Sequence, residues 1–268
     1  MRKIKVIMLK EWMEVFKNRL VIFTIAFLPL IMVAIPLAML YSTRGSTSAE
    51  LTAGQTAGAL PEELTSQICP EGLTGSECMQ VYMVSQFMLL FMLIPVAIPG
   101  TIAAYSIVGE KTTRSLEPLL ATPITTVELL VGKCLAAVIP AVISTYGAYA
   151  IFSGGAFLLV TNKALLGAFF EPRWLIAIFA VGPLLALLAT TFAMMVSSRV
   201  NDPRVAEQIS MVIIIPVLGG FFGQVVGGFV LNTQVISIVA AVLLALDVLM
   251  MYLAAQVFDH ESILTRWK

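Results

Sequence analysis

Glu110, Lys111, Arg114 and Glu117 crowd one short polar stretch; Glu62, Glu63, Glu71 and Glu77 populate another beside Cys69 and Cys78; Asp247 stands alone in a long apolar run. Side chains so spaced can make ion pairs and docking contacts, but they do not assemble a reaction centre. His260 is the only histidine and lies in the C-terminal tail, so Ser153, in the run Ser153, Gly154, Gly155, has no buried histidine to activate it. The polar connectors offer no cluster of His, Cys or closely spaced Asp that would ligate a metal. No Gly-x-x-x-x-Gly-Lys-Ser/Thr loop is present to cradle nucleotide phosphates. The chain is therefore not expected to be an enzyme, nor to bind a cofactor or a metal of its own. Its formal net charge of zero gives no reason to expect nucleic acid as a partner.

What must position these residues is a membrane fold. Of the 268 residues, 59% are hydrophobic and 12% charged, against roughly 25% charged in a soluble domain. Nearly all of the charges sit in short connectors between long apolar runs, which is the pattern of repeated bilayer crossings. Runs long enough to cross are predicted at Leu20–Tyr41, Tyr82–Val108, Leu129–Val160, Trp174–Val196, Gln208–Leu231 and Val235–Val257. Mixed residues precede the first run, so it reads as a retained span rather than a secretory leader. The fold class is all-α and polytopic, with residues 1–19 forming a helix of their own and residues 20–268 a six-span domain. Pro140 lies inside the third run, which is longer than one crossing requires, and predicts a tilt or kink there. Pro29, Pro36, Pro95, Pro99, Pro183 and Pro216 mark further bends. Gly219, Gly223 and Gly227, with Gly220 and Gly228 beside them, predict either close helix packing or a break after Pro216 with Gln224 as its exposed polar marker.

An N-terminus in the cytoplasm puts nearly all Lys and Arg residues on the inside and leaves only Arg44, Lys163 and Arg173 outside, a strong positive-inside bias. Residues 42–79 then form an extracytoplasmic loop, where Cys69 and Cys78 can close a small disulfide loop or remain two free thiols. Cys134 lies in an apolar run and reads as a small core residue. Ahead of the first run, Ile4, Met8, Trp12 and Phe16 recur every fourth residue, with Lys3, Lys10, Glu14 and Lys17 on another side. That spacing predicts an amphipathic helix lying on the cytoplasmic membrane surface, in contact with lipid.

Residues 109–128 connect the second and third runs. Leu116, Leu119 and Leu120 share one face of a short helix, and Glu110, Lys111, Arg114 and Glu117 give it a charged shoulder. Thr122 and Pro123 stop it, and Thr125 or Thr126 caps the next helix. A surface helix that displays leucines meets either another protein or the lipid interface, and the residues alone leave both open.

The run Glu110, Lys111, Leu116, Glu117, Leu119, Leu120, Thr122, Pro123, Glu128, Leu129, Leu130, Gly132 and Lys133 resembles the cytoplasmic connector of type-2 ABC transporter permeases. It differs in carrying Arg114 ahead of Ser115, where that family commonly has Gly. The six-span layout, the amphipathic start and a cytoplasmic C-terminus resemble the same family, so the similarity spans the chain. The resemblance implies the membrane permease subunit of an ATP-binding-cassette exporter. Its connector would be a coupling helix, seated in a cleft of a separate cytoplasmic ATPase that holds ATP and Mg. It implies two permease chains, expected as a homodimer, with two ATPase subunits. Leu116, Leu119 and Leu120 would be docking knobs, and Glu110 and Glu117 polar contacts, while Lys111 and Arg114 would pair with acidic groups on the ATPase. An ordinary solvated face is the alternative for each charge. The expected location is the plasma (inner) membrane of a prokaryote.

Asp247, near the middle of the last run, and Gln224 are the candidate pathway residues. An ionised carboxylate at that depth costs roughly 2.5–3.5 kcal/mol unless it meets water or a partner. A structural, hydrogen-bonded Asp is the competing reading. The alternative function is an ion-gradient-driven secondary transporter or channel that uses Asp247 and works without an ATPase. The substrate is not legible in the residues.

Overall fold

The computed structural model describes residues 2–17, 19–43, 75–112, 125–160, 162–226 and 231–257, and every regular element among them is helical. Helix α1 covers Arg2–Val15 and α2 covers Arg19–Ser42. α3 (Gly75–Leu90) passes through a 3-10 turn at Phe91–Leu93 into α4 (Ile94–Thr112). α5 (Thr126–Leu159) is followed by the short helices α6 (Lys163–Phe169) and α7 (Pro172–Ile176), and then by α8 (Gly182–Arg199). α9 (Pro203–Ser210), a 3-10 turn and α10 (Ile214–Val225) form the next rod, and α11 (Thr233–Val257) is the last.

Among the described residues six stretches are long and apolar enough to cross a bilayer: Val21–Ser42, Gln80–Ser106, Val127–Leu159, Leu165–Arg199, Pro203–Val225 and Thr233–Gln256. The expected runs coincide with these, except that the fourth begins earlier and the fifth is displaced towards its N-terminus. Local chemistry explains the second shift. Asp202 accepts a hydrogen bond from the Arg204 N–H at 2.8 Å and Pro203 occupies the first helical turn, so the rod starts there rather than at Gln208. Gly227 and Gly228 lie outside the described residues. Gln224, which a break after Pro216 would have exposed, is buried within α10.

The prolines act selectively. Pro29, Pro36, Pro99 and Pro140 sit inside uninterrupted α-helix, so the kink expected at Pro140 does not interrupt α5. Changes of helical register instead precede Pro95, Pro183 and Pro216. A proline has no N–H for the carbonyl four residues back, and the backbone adjusts to satisfy that group. Before Pro95, the Ile94 N–H takes the Phe91 carbonyl in the tighter pattern. Before Pro183, residues Ala177–Val181 widen into a π-turn and the Tyr146 hydroxyl donates to the stranded Phe179 carbonyl at 3.3 Å.

The second, third and fourth spans make the core. Buried shares of 78%, 56% and 50% there, against 22%, 11% and 17% for the first, fifth and sixth, leave the latter three to face lipid or another chain. α4, α5 and α8 pack on one another, and all three meet at Gly182, where a methyl group would lie 3.9 Å from Thr145 Cγ2 and 4.0 Å from Pro95 Cγ. Phe91 and Phe169 close on Phe152 with ring centroids 5.9 and 6.1 Å away. The Thr101 hydroxyl donates to Glu207 Oε1 at 2.8 Å and ties α9 to α4.

With 34 residues, α5 is about 51 Å long, well beyond the hydrocarbon thickness of about 30 Å. Its first turns are the seat of α1. The contacts advance together along both helices: Lys3 with Glu128, Ile7 with Gly132, Glu11 with Lys133, Trp12 with Ala136. α1 thus runs alongside α5 in the same direction. Its buried face carries Ile7, Glu11 and Val15, whereas the periodicity of Ile4, Met8, Trp12 and Phe16 had pointed to a different stripe; Phe16 is exposed. Gly132 makes the approach possible, since a Cβ there would lie 2.8 Å from Ile7 Cγ2.

The Trp12 indole N–H donates to the Ala136 carbonyl at 2.9 Å, the same carbonyl that Pro140 cannot reach in the helix ladder. Trp12→Phe is therefore expected to cost about 1–2 kcal/mol, and considerably less in a Pro140→Ala background, where the helix supplies its own N–H. Thermal unfolding of the four proteins of this double-mutant cycle checks the coupling.

Candidate coupling site

Both ends of the connector are anchored, and the anchors meet on α1. α4 brings Ser106 to the connector's entry, and Glu110 and Lys111 form part of its last turn. At the exit, Thr125 caps α5: its hydroxyl accepts the Glu128 N–H at 3.2 Å while the Glu128 carboxylate accepts the Thr125 N–H at 3.1 Å. This reciprocal pair selects Thr125 over Thr126 as the cap. Lys3 of α1 pairs with Glu128 at 3.5 Å.

One turn further in, Glu11, Ser106 and Lys133 form a closed polar triad. Lys133 Nζ donates to Glu11 Oε1 at 2.8 Å and to Ser106 Oγ at 2.8 Å, and the Ser106 hydroxyl donates to Glu11 Oε2 at 2.5 Å. The Glu11 and Lys133 side chains are only 3% and 4% exposed, which makes this a buried ion pair rather than a surface one. Burial is the largest single influence on Glu11 and pushes its carboxyl up. The Lys133 charge, the hydrogen bonds from Lys133 and Ser106 and the nearby Lys10 together outweigh it, so the carboxyl is held below its ordinary range.

A carboxyl depressed on folding contributes stability above its unfolded value, and that contribution is lost as the pH falls through the folded value. The unaltered protein should thus lose its advantage over Glu11→Gln as the pH drops from about 6 through the carboxylate range. Melting temperatures of both proteins across that window check the convergence.

Arg114, Leu116, Glu117, Leu119, Leu120, Thr122 and Pro123 lie outside the described residues, as does Cys69. Cys78 is buried in α3, and Cys134 is a buried free thiol in α5. The two candidate pathway residues are not brought together. Asp247 is 5% exposed on α11, which packs on α8, and neither carboxylate oxygen has a hydrogen-bond partner among the described residues. Gln224 is buried at the far end of α10, which packs on α3, with its side-chain oxygen unpartnered among the same residues.

The opposite end of the bundle is laced by polar contacts. Asn162 donates to Glu77 at 2.6 Å, Gln80 to the Thr43 carbonyl at 3.3 Å and Arg173 to the Leu231 carbonyl at 3.4 Å. Among the described residues no group of three His, Cys, Asp or Glu side chains converges to hold a metal. One triad ties α4 and α5, the two helices that flank the connector, to α1.

Sequence reasoning missed Glu11 and Ser106, and it quoted Lys133 only as part of a motif. The available signal was a carboxylate at the centre of the Ile7, Glu11, Val15 stripe, which a helix buries only when a cation meets it.

No curated protein matches the chain. A family model described as ABC-2 family transporter protein matches residues 5–259, which takes in most of α1, all six candidate spans and the connector. The chain therefore belongs to the ABC-2 transporter family, as the integral membrane permease component that partners an ABC ATPase subunit.

Proposed function

We propose that this chain is the conducting half of an ATP-driven exporter, with residues 109–128 acting as the coupling connector to a separate cytoplasmic ATPase. The observation that carries this reading is the buried Glu11, Ser106, Lys133 triad, which joins both flanks of the connector to α1 and to the core spans. Leu116, Leu119 and Leu120 dock in the ATPase cleft; Glu110, Lys111, Arg114 and Glu117 contact its polar rim; Thr122 and Pro123 end the docking helix. ATP and Mg belong to the ATPase, and both termini are cytoplasmic in a prokaryotic plasma membrane. Three core spans per chain enclose little space, which favours a homodimer with two ATPase copies. Cys69 and Cys78 form a stabilising disulfide in the outer loop, and Gln224 and Asp247 are polar points of the pathway.

Purification of the tagged chain in mild detergent, followed by native mass spectrometry, tests the assembly. Two permease chains with two ATP-binding-cassette subunits are expected. A second reading, an ion-gradient-driven transporter, draws on the unpartnered carboxylate of Asp247. It requires a chain that purifies alone and transports without ATP.

A further inference from the structure

α3 and α10 each carry a buried amide, and the two amides stand at one level. α9 packs on α4, while α10 packs on α3 and on the Phe91–Leu93 turn, so the two rods run antiparallel. The Thr101 hydroxyl and Glu207 join them near one end. Measured along the helices from that bond, through the 3-10 turns at Phe91–Leu93 and Met211–Ile213, Gln86 lies about 24 Å and Gln224 about 27 Å away. That is within one helical turn in height, in the half of the bundle remote from α1 and the connector.

Gln86 is 7% exposed and Gln224 3%, yet Gln86 Nε2 and Oε1 and Gln224 Oε1 have no hydrogen-bond partner among the described residues. Buried amide groups in folded proteins are nearly always bonded, so three unbonded atoms at one level mark a place for a group that the described residues do not supply. Room exists beside them. Gly220 lies one turn before Gln224 on the same face of α10, and a Cβ there would meet nothing within 4 Å beyond its own helix backbone. Neither wall is charged, since no Asp, Glu, Lys or Arg occurs in residues 78–109 or 208–225. An ion would find nothing here to replace its water. An amide donates and accepts without charge, and a hydroxyl is the simplest group that answers both. The neighbouring positions are apolar, with Val84, Met88 and Phe91 buried on one rod and Phe221 and Phe222 edge to face at 5.4 Å on the other.

We infer that Gln86 and Gln224 form a binding site between α3 and α10 for an uncharged, hydroxylated head group carried on an apolar tail. The inference deepens the permease role proposed above, and rests on it only in making that molecule the cargo.

The test uses the complex with its ATPase subunit in phosphatidylcholine nanodiscs. The probe is dodecyl β-D-glucoside with a photoreactive diazirine in its chain, well below saturation. Mass spectrometry should place its adducts on peptides of α3 and α10. Unlabelled dodecyl glucoside should displace it, whereas dodecyl sulfate and dodecyltrimethylammonium, which share the tail, should not. Gln86→Leu with Gln224→Leu should cut labelling at least about tenfold, the effect of losing one or two hydrogen bonds. The same variant should melt at a higher temperature, because it buries no unpaired amide. Gly220→Leu, which keeps both amides and fills the space beside them, should cut labelling equally. Labelling indifferent to head-group charge, or unaltered in both variants, would overturn the site. So would an unaltered complex that takes no label, the result expected of amides that hold only water. Trapping the ATPase with vanadate should empty the site. Full labelling of α3 and α10 in the trapped complex refutes the cargo role and keeps the site.

Discussion

Lys133→Met should destabilise the protein by roughly 3–5 kcal/mol, because it strands the Glu11 carboxylate in a site from which water is excluded. Glu11 and Ser106 cannot compensate each other, since the Ser106 hydroxyl supplies one donor and the second carboxylate oxygen loses its only donor among the described residues. Replacing both members of the pair, Glu11→Leu with Lys133→Met, removes the stranded charge and should recover most of that loss, as apolar replacements of buried ion pairs generally do. Thermal unfolding in detergent reads both effects. The double variant should insert and fold yet hydrolyse ATP without regulation by the spans, since the polar tie between α1, α4 and α5 is gone. If the two single variants, Glu11→Leu and Lys133→Met, were each as stable as the unaltered chain, the triad would carry no structural weight.

Conversion of Leu116, Leu119 and Leu120 to serine is expected to abolish capture of the ATPase subunit while leaving membrane insertion intact. Each leucine that fills a cleft contributes on the order of 1–2 kcal/mol at an interface core. Loss of all three then weakens association by at least about a hundredfold. Co-purification at matched expression measures this directly, and retention of the ATPase at the unaltered level would move the docking surface elsewhere on the chain.

The spans were legible because nearly all charge lies in connectors or close to the span ends, a signal that survives any uncertainty about where a helix starts. Their ends were less so. The fifth span begins at Pro203 because Asp202 caps it, a local rule that a hydrophobicity window overlooks. The motif residues Glu128, Gly132 and Lys133 were visible as a pattern, yet their roles as cap, close-approach point and ion-pair partner depend on α1. Glu11 and Lys133 are 122 residues apart, and no periodicity within α1 reports a partner at that distance. The same holds for Trp12, whose indole serves a carbonyl stranded by Pro140 in another helix. Prolines could be counted in the sequence, but their count does not say that the helical register changes before Pro95, Pro183 and Pro216 and not before Pro29, Pro36, Pro99 and Pro140.

The central claim is that ATP-driven closure of the partner moves the spans through the connector. Spin labels at Arg204, exposed in the first turn of α9, report the separation of the two permease copies in the assembled complex. Trapping the ATPase with vanadate should shift that distance distribution in the unaltered protein and leave it unshifted in the Glu11→Leu, Lys133→Met variant. An unchanged distribution in the unaltered complex, with vanadate demonstrably trapped on a bound ATPase, would contradict the account.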